Sequence, residues 1–347
     1  MARLGKSSSI GLDIQPGYAA AVESRDGLTV DRAAVATLPP GVVREGEVSD
    51  PETLGAVLRE MFREHRLSRR VRLGVANQRI VVRTLDLPPL RDPKDIASAV
   101  RFQAQEQIPM PLEQAVLEHQ TIGPVETPAG PRTRVVLVAA RRDMIDGLLA
   151  AVRRAGLRAE GIDLSAFAMI RALHRPGDSA ATLYMSVGGV TNIAVAGGVT
   201  CLFTRAIAHG TETMAAELAE RRGLTLEHAH GWLVHTGLGG DLEELDGDPV
   251  ILTEARSVLE DGRRRLGDEV RNSLDFYRAQ EGAEQIERAV LTGPVLAIPG
   301  FAEELGEEIG LTLEPGVVAE ARPGGVPEGD RRRLAVAAGL TVTEVAA

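Results

Sequence analysis

Residues 9–23, SIGLDIQPGYAAAVE, join a short apolar run to a second run rich in Ala and Val, across a turn built on Pro16 and Gly17. This is the pattern of two strands around a tight loop. Residues 183–196, LYMSVGGVTNIAVA, repeat it half a chain later. The two align without a gap: Asp13 opposite Ser186, Gln15 opposite Gly188, Pro16 opposite Gly189 and Tyr18 opposite Thr191. A further strand-like run follows each, over 28–38 and 199–207, so each half opens as a meander of three strands. The recurrence predicts two related subdomains facing each other. Glycine in such loops allows close approach and presents backbone N–H groups to an anion. The paired loops are therefore a candidate phosphate clasp, and two ordinary hairpins in two sheets are the alternative.

Asp50-Pro51 and Asp92-Pro93 each place a capping side chain before a proline at the first helical position. After the first, Leu54, Val57, Leu58, Met61 and Phe62 recur at helical spacing and define one buried face. After the second, Ile96, Ala99 and Val100 make a narrow stripe, and Pro109 and Pro111 stop the helix. Residues 71–76, 79–87, 115–122 and 133–140 read as strands, with GPVETPAGPR a turn between the last two. An amphipathic helix over 143–155 ends at Gly156, a short strand covers 157–163, and Ser165 caps a helix to about His174. Residues 82–164 thus predict a compact insertion, a small sheet with two helices. Beyond the second meander the pattern predicts helices over 211–222, 226–235, 250–280 and 301–309, and a strand over 286–292. Acidic, glycine-rich residues 237–249 and Pro/Gly-rich residues 322–330 read as loops, and 331–340 as a terminal helix.

At 347 residues the chain can hold more than one core, and aromatics at 3% mean that Ala, Leu, Val and Ile must build it. A net charge of -10 argues against nucleic acid as a partner. Cys201 is the only cysteine, which excludes an internal disulfide and a multi-cysteine zinc site. Beside Leu202 and Phe203 it reads as a small core residue rather than a nucleophile. His228, His230 and His235 cluster near Glu227 without a complete ligand set. Arg141-Arg142 and Arg331–Arg333 are short basic clusters, read as solvated helix ends or, alternatively, as contacts for anionic lipid headgroups. No apolar run reaches the length of a membrane span, and residues 1–9 lack the apolar core of a signal peptide. The expected location is the cytoplasm.

The order of elements resembles the actin-like ATPase fold, an α/β, ribonuclease H-like duplication. Within it the chain resembles the PilM family of type IV pilus assembly proteins. The resemblance rests on VRFQAQEQIPMPL (100–112), EHQTIG (118–123), VVLVAARRDM (135–144), AGL (155–157) and IDLSAFA (162–168). It implies a subdomain 1A over 1–81, 165–182 and 325–347, and a 1C subdomain, shared with the cell-division protein FtsA, over 82–164. It further implies 2A over 183–210 and 285–324, and 2B over 211–284. The implied nucleotide site comprises Gly11, Asp13, Gln15 and Gly17 in the first phosphate loop. The second loop contributes Ser186, Gly188, Gly189, Thr191 and Asn192, and the adenosine loop Thr292, Gly293 and Pro294. Asp13 stands where the family's acidic residue holds magnesium through water.

The chain departs from that pattern. Family members carry a glycine and a lysine where it has Gln15 and Ala20, and an aspartate where it has Ser186. Their Thr-Gly-Gly is Thr292-Gly293-Pro294 here, and their Ala-Glu-x-x-Lys is Ala229-His230-Gly231-Trp232-Leu233. Phosphoryl transfer needs metal and positive groups against the developing charge, so efficient ATP hydrolysis is not expected. ATP or ADP with Mg remains a compatible cofactor, held by glycine-rich backbone, and not a required one.

The resemblance implies a cytoplasmic adaptor that binds the N-terminal cytoplasmic peptide of PilN in a groove between 1A and 1C. Phe102, Ile108 and Pro109 are the candidate contacts, with Phe102 as plain 1C core the alternative. Other pilus inner-membrane components are expected partners, nucleic acid is not, and the protein would sit at the inner face of the membrane through partners. The terminal LAVAAGLTVTEVAA lacks a basic face and large apolar residues, so an anchor of its own is not expected. Competing functions are an ATP-hydrolysing switch that gates the same complex, an FtsA-like divisome protein and a sugar kinase of the same superfold.

Overall fold

The computed structural model describes residues 10–24, 29–128, 130–320 and 326–342. Ser9 and Leu28, the leader test over 1–9, residues 322–325 of the expected loop and the tail beyond 342 lie outside them. The chain forms two compact units, Met1–Asn77 with Ala151–Ala347, and Gln78–Ala150.

In the larger unit, β1 (Ile10–Gln15) and β2 (Tyr18–Glu23) form the expected hairpin, with Gln15 opposite Tyr18. The expected strand over 28–38 is divided at Asp31 into β3 (Thr29–Val30) and β4 (Arg32–Thr37), and only β4 continues the meander. A short ribbon, β5 (Val43–Arg44) with β6 (Glu47–Val48), precedes α1 (Pro51–Glu64). One Asp50 carboxylate oxygen accepts from the N–H groups of Glu52 and Thr53 at 3.0 Å, so this helix begins where its cap predicts. Then β7 (Arg70–Val75) lies parallel to β1.

The smaller unit contains β8 (Val81–Leu87), α2 (Pro93–Gln107), β9 (Ala115–Thr127) and β10 (Gly130–Arg141), in sheet order β8-β10-β9. Leu85, Leu87, Val135, Leu137 and Ala139 pack with Ile96, Val100 and Ala104 of α2. The ladder between β9 and β10 extends through the segment expected to be a turn. Pro124 is tolerated because β9 is an edge strand. Pro131 lies before β8 joins β10 at Thr133, where its missing N–H has no partner to lose.

After α3 (Arg142–Arg154) the chain forms β11 (Arg158–Leu164) and α4 (Ser165–Leu173). Ser165 is not the cap: Leu164 occupies that position, and the Ser165 hydroxyl is buried without a partner among the described residues. The second meander is β12 (Ala181–Val187), β13 (Thr191–Gly197) and β14 (Thr200–Ile207). Helices α5 (Thr211–Arg222), α6 (Leu226–Thr236) and α7 (Pro249–Arg278) follow, then β15 (Ile286–Thr292), α8 (Phe301–Ile309) and β16 (Leu313–Pro315). The chain closes with β17 (Ala319–Glu320), which pairs with β3, the short α9 (Glu328–Arg331) and α10 (Ala335–Leu340).

The two halves share one topology. One sheet runs β4-β2-β1-β7-β11 and the other β14-β13-β12-β15-β16. In each, an antiparallel meander is extended on its first strand's free side by parallel strands. β11, expected inside the insertion, is therefore an edge strand of the first sheet. Both faces of the second sheet are covered. Leu183, Met185, Val187, Ile193 and Val195 face the core built with α5 to α8. Tyr184, Ala194, Ala196 and Val290 face Tyr18, Ala20 and Val22 with α4 and α10. The small residues of α10 have a steric cause: a Cβ on Gly11 would lie 1.8 Å from the Ala337 carbonyl oxygen, and one on Gly339 1.8 Å from that of Ala168. Only glycine lets β1 and α4 close on this helix.

Candidate functional site

The two hairpins end beside each other, and their tips touch. Across β1–β2 Asp13 faces Ala20, whereas across β12–β13 Ser186 faces Asn192. The gapless alignment therefore holds for the first strand of each hairpin and slips by one residue in the second. The counterpart of Ala20 is Asn192, because the connection from Ser186 to Asn192 is one residue shorter than that from Asp13 to Ala20. Register then places Asn192, Ser186 and Thr292 in one polar row across β13, β12 and β15. The row lies on the face shared with Tyr18 and Ala20.

On the opposing hairpin Asp13 is 1% exposed. Burial raises its carboxyl to about 6, against the opposing effect of a hydrogen bond from Gln15. The Gln15 amide nitrogen donates to Asp13 Oδ1 at 3.1 Å and Oδ2 at 3.3 Å, and its oxygen accepts from the Val190 N–H at 3.3 Å. One side chain thus spans both hairpins. Pro16 fills the space beyond it: a Cβ on Gly189 would lie 2.3 Å from the Pro16 carbonyl oxygen. Gly188 packs under the Tyr18 hydroxyl and beside Pro294. Its carbonyl accepts from the Thr211 N–H at 2.8 Å and the Thr211 hydroxyl at 3.2 Å. Thr191 donates to the His209 carbonyl at 2.7 Å. Burial, then the charge of Asp13, drives the Tyr18 phenol far above its usual range, while the Arg333 guanidinium lies 5.4 Å from its ring centre.

The remaining predicted residues take other places. Gly11 packs on α10, away from the tips. Gly17 turns the first loop at φ +86° against Glu212, and Gly293 turns at φ +104° against the Val187 carbonyl. Asn192 Nδ2 and Thr292 Oγ1 are buried without hydrogen-bond partners among the described residues. A cavity of about 480 Å³ adjoins the tips, lined among others by Tyr18, Glu212, Glu227, His230, Pro294 and Arg333. His230 Nε2 lies 2.8 Å from a Glu212 carboxylate oxygen, so it belongs to a hydrogen-bonded contact rather than a metal set. Among the described residues no three His, Cys, Asp or Glu side chains could share a metal ion.

A magnesium triphosphate does not fit this arrangement. Both oxygens of Asp13 are engaged by Gln15, Pro16 occupies the space against Gly189, and carboxylates line the adjoining cavity, with Arg333 the only guanidinium among the described lining residues. In the sequence Gln15 stands out as a departure from the family pattern, but its span across the cleft is visible only in the fold. The same holds for Tyr18, Glu212 and Arg333, whose roles depend on contacts between distant segments.

Elsewhere, Phe102 is 70% exposed on α2, which excludes the core alternative, and Pro109 is exposed as well. Ile108 is 7% exposed and belongs to the core of the smaller unit, so it offers no surface to a partner. Cys201 is half-buried as a residue but its thiol is enclosed, and burial pushes it up to about 12. The basic clusters are engaged: Arg142 donates to the Ala115 carbonyl, Arg141 pairs with Asp143, Arg331 with Glu320 and Arg333 with Asp330. Among the described residues, no helix is long and apolar enough to cross a membrane.

The family model for the type IV pilus assembly protein PilM matches residues 11–321. The chain belongs to the PilM family. A solved structure described as a PilM–PilN type IV pilus biogenesis complex is similar at 26% identity and a TM-score of 0.80, over 97% of this chain and 98% of that one. The ethanolamine utilization protein EutJ from Carboxydothermus hydrogenoformans matches at 15% identity and TM-score 0.54, over 98% and 91% of the two chains. MreB5 of Spiroplasma citri, solved bound to ADP, matches at 12% and 0.55, over 96% and 95%. These last two establish the actin-like fold alone.

Proposed function

We propose that the chain is an adaptor of type IV pilus assembly that binds the N-terminal cytoplasmic segment of a PilN-type partner. The observation that carries this reading is the near full-length similarity to the PilM–PilN complex within a family to which the chain belongs. The compact unit Gln78–Ala150 corresponds in this reading to subdomain 1C, with the halves of the larger unit as 1A and as 2A with 2B. Through its partner the protein would reach the inner face of the membrane together with other pilus components. Phe102 and Pro109 are the proposed partner contacts, since both are exposed on the smaller unit. Burying most of an exposed phenylalanine ring is worth about 3 kcal/mol, enough for an anchor. Binding in this reading requires no ATP hydrolysis.

Titration calorimetry of the full chain with a synthetic peptide of the partner's cytoplasmic N-terminus, from the same genome, tests it. Saturable one-to-one binding, weakened at least tenfold by Phe102→Ala, is expected. Absence of binding by a folded wild-type chain would overturn the adaptor reading.

A further inference from the structure

We infer that Gln15 and the contact between the hairpin tips do in this chain what a bound nucleotide does in an actin-like cleft, holding the two halves together without a ligand. The inference concerns the cleft and does not depend on the partner's identity.

The two faces of the cleft belong to separate sheets, and among the described residues their strands form no common ladder. Something must bridge them where polar groups meet, because an unpaired buried donor or carboxylate is costly. Gln15 meets that need from a single position. Its amide nitrogen neutralises part of the demand of Asp13 on the first hairpin, and its oxygen takes the Val190 N–H on the second. A glycine at this position would leave both groups unpaired and the space open, as a phosphate site requires. Gln15 fills it. Pro16 then adds a rigid wall that Gly189 can meet only because it has no side chain. Tyr18 closes the other side, its hydroxyl against Gly188 and its ring under Arg333. Glu212 packs against Gly17 and pairs with His230, tying α5 and α6 to the first hairpin. Glu212 and Glu227 in the adjoining cavity would repel the phosphate chain that the closed tips exclude. These residues come from the first hairpin, α5, α6 and the segment before α10, so the closure is built by the whole larger unit.

The proposal predicts that the native cleft is already closed and that nucleotide adds nothing to it. Amide hydrogen exchange is measured on the full chain, wild type and Gln15→Leu, together with thermal unfolding in the presence and absence of MgATP. Leucine keeps the bulk of Gln15 and removes both polar atoms. Exchange at Val190 should rise more than tenfold in Gln15→Leu while Ile193 and Val195, deep in the second core, stay unchanged. Gln15→Asn, too short to reach both hairpins, should act in the same direction. Millimolar MgATP should leave the wild-type melting temperature and its hairpin exchange where they are. Unchanged Val190 exchange in a folded variant would overturn the proposal. So would a wild-type melting temperature raised by several degrees on adding MgATP. Should neither variant fold, the wild-type nucleotide measurement decides alone.

Discussion

Asp13 is retained at a cost, and Asp13→Asn should reveal it. The carboxyl is buried, and its desolvation lifts it from an ordinary 3.8 to about 6 in the native state. The native state therefore holds this proton more tightly than the unfolded chain does. Stability associated with this group is fully present below about pH 4 and is lost as pH rises through 6. Over that interval the penalty for ionised Asp13 grows to about 3 kcal/mol. Asparagine has nearly the same shape, carries no charge, and keeps an oxygen to accept the bond from Gln15. Asp13→Asn should thus be more stable than wild type by about 3 kcal/mol at pH 8. Near pH 5, where native Asp13 is mostly protonated already, about half of that gain should remain. Urea unfolding of both proteins at pH 8 and pH 5 measures the difference directly, since other groups titrate alike in both. Equal stability at pH 8, or a variant less stable than wild type at both pH values, would refute the assignment of an ionisable group desolvated in the closed cleft.

Thr292→Val removes a buried hydroxyl that has no partner, with little change of shape, and should raise stability by about 1 kcal/mol in the same urea assay. Gly339→Ala puts a methyl group against the Ala168 carbonyl and should cost at least about 3 kcal/mol, read as a lowered melting temperature. Phe102→Ala should leave the melting temperature within a degree of wild type, because the ring is exposed, while weakening partner binding.

Much of this fold is written in local patterns. The hairpins and the capped starts of α1 and α2 follow from apolar runs around turns, helical spacing and Asp-Pro pairs. What local pattern does not carry is pairing between distant segments. Strand β11 looks like the last piece of the insertion because it follows α3, yet it pairs with β7, far back in the chain. Cutting out residues 82–164 would remove an edge strand of the first sheet along with the smaller unit. The one-residue shortening of the second hairpin is equally hidden, because a one-residue slip changes which face a side chain takes without changing composition. Ser165 has the right chemistry for a cap but sits one position too late. In the candidate site, the missing lysine and aspartate were legible as departures from a family pattern. That the vacated space is filled by Gln15, Pro16 and Tyr18 required the second hairpin to be in place.

In the reading proposed above, this PilM-family chain binds its partner with a cleft that closes by itself. Calorimetric titration of the full chain with the partner's N-terminal cytoplasmic peptide, run once without nucleotide and once with millimolar MgATP, tests both parts of that claim together. One-to-one binding with the same Kd in the two titrations is expected. Binding that appears only with MgATP, or that tightens tenfold or more when it is added, would contradict it.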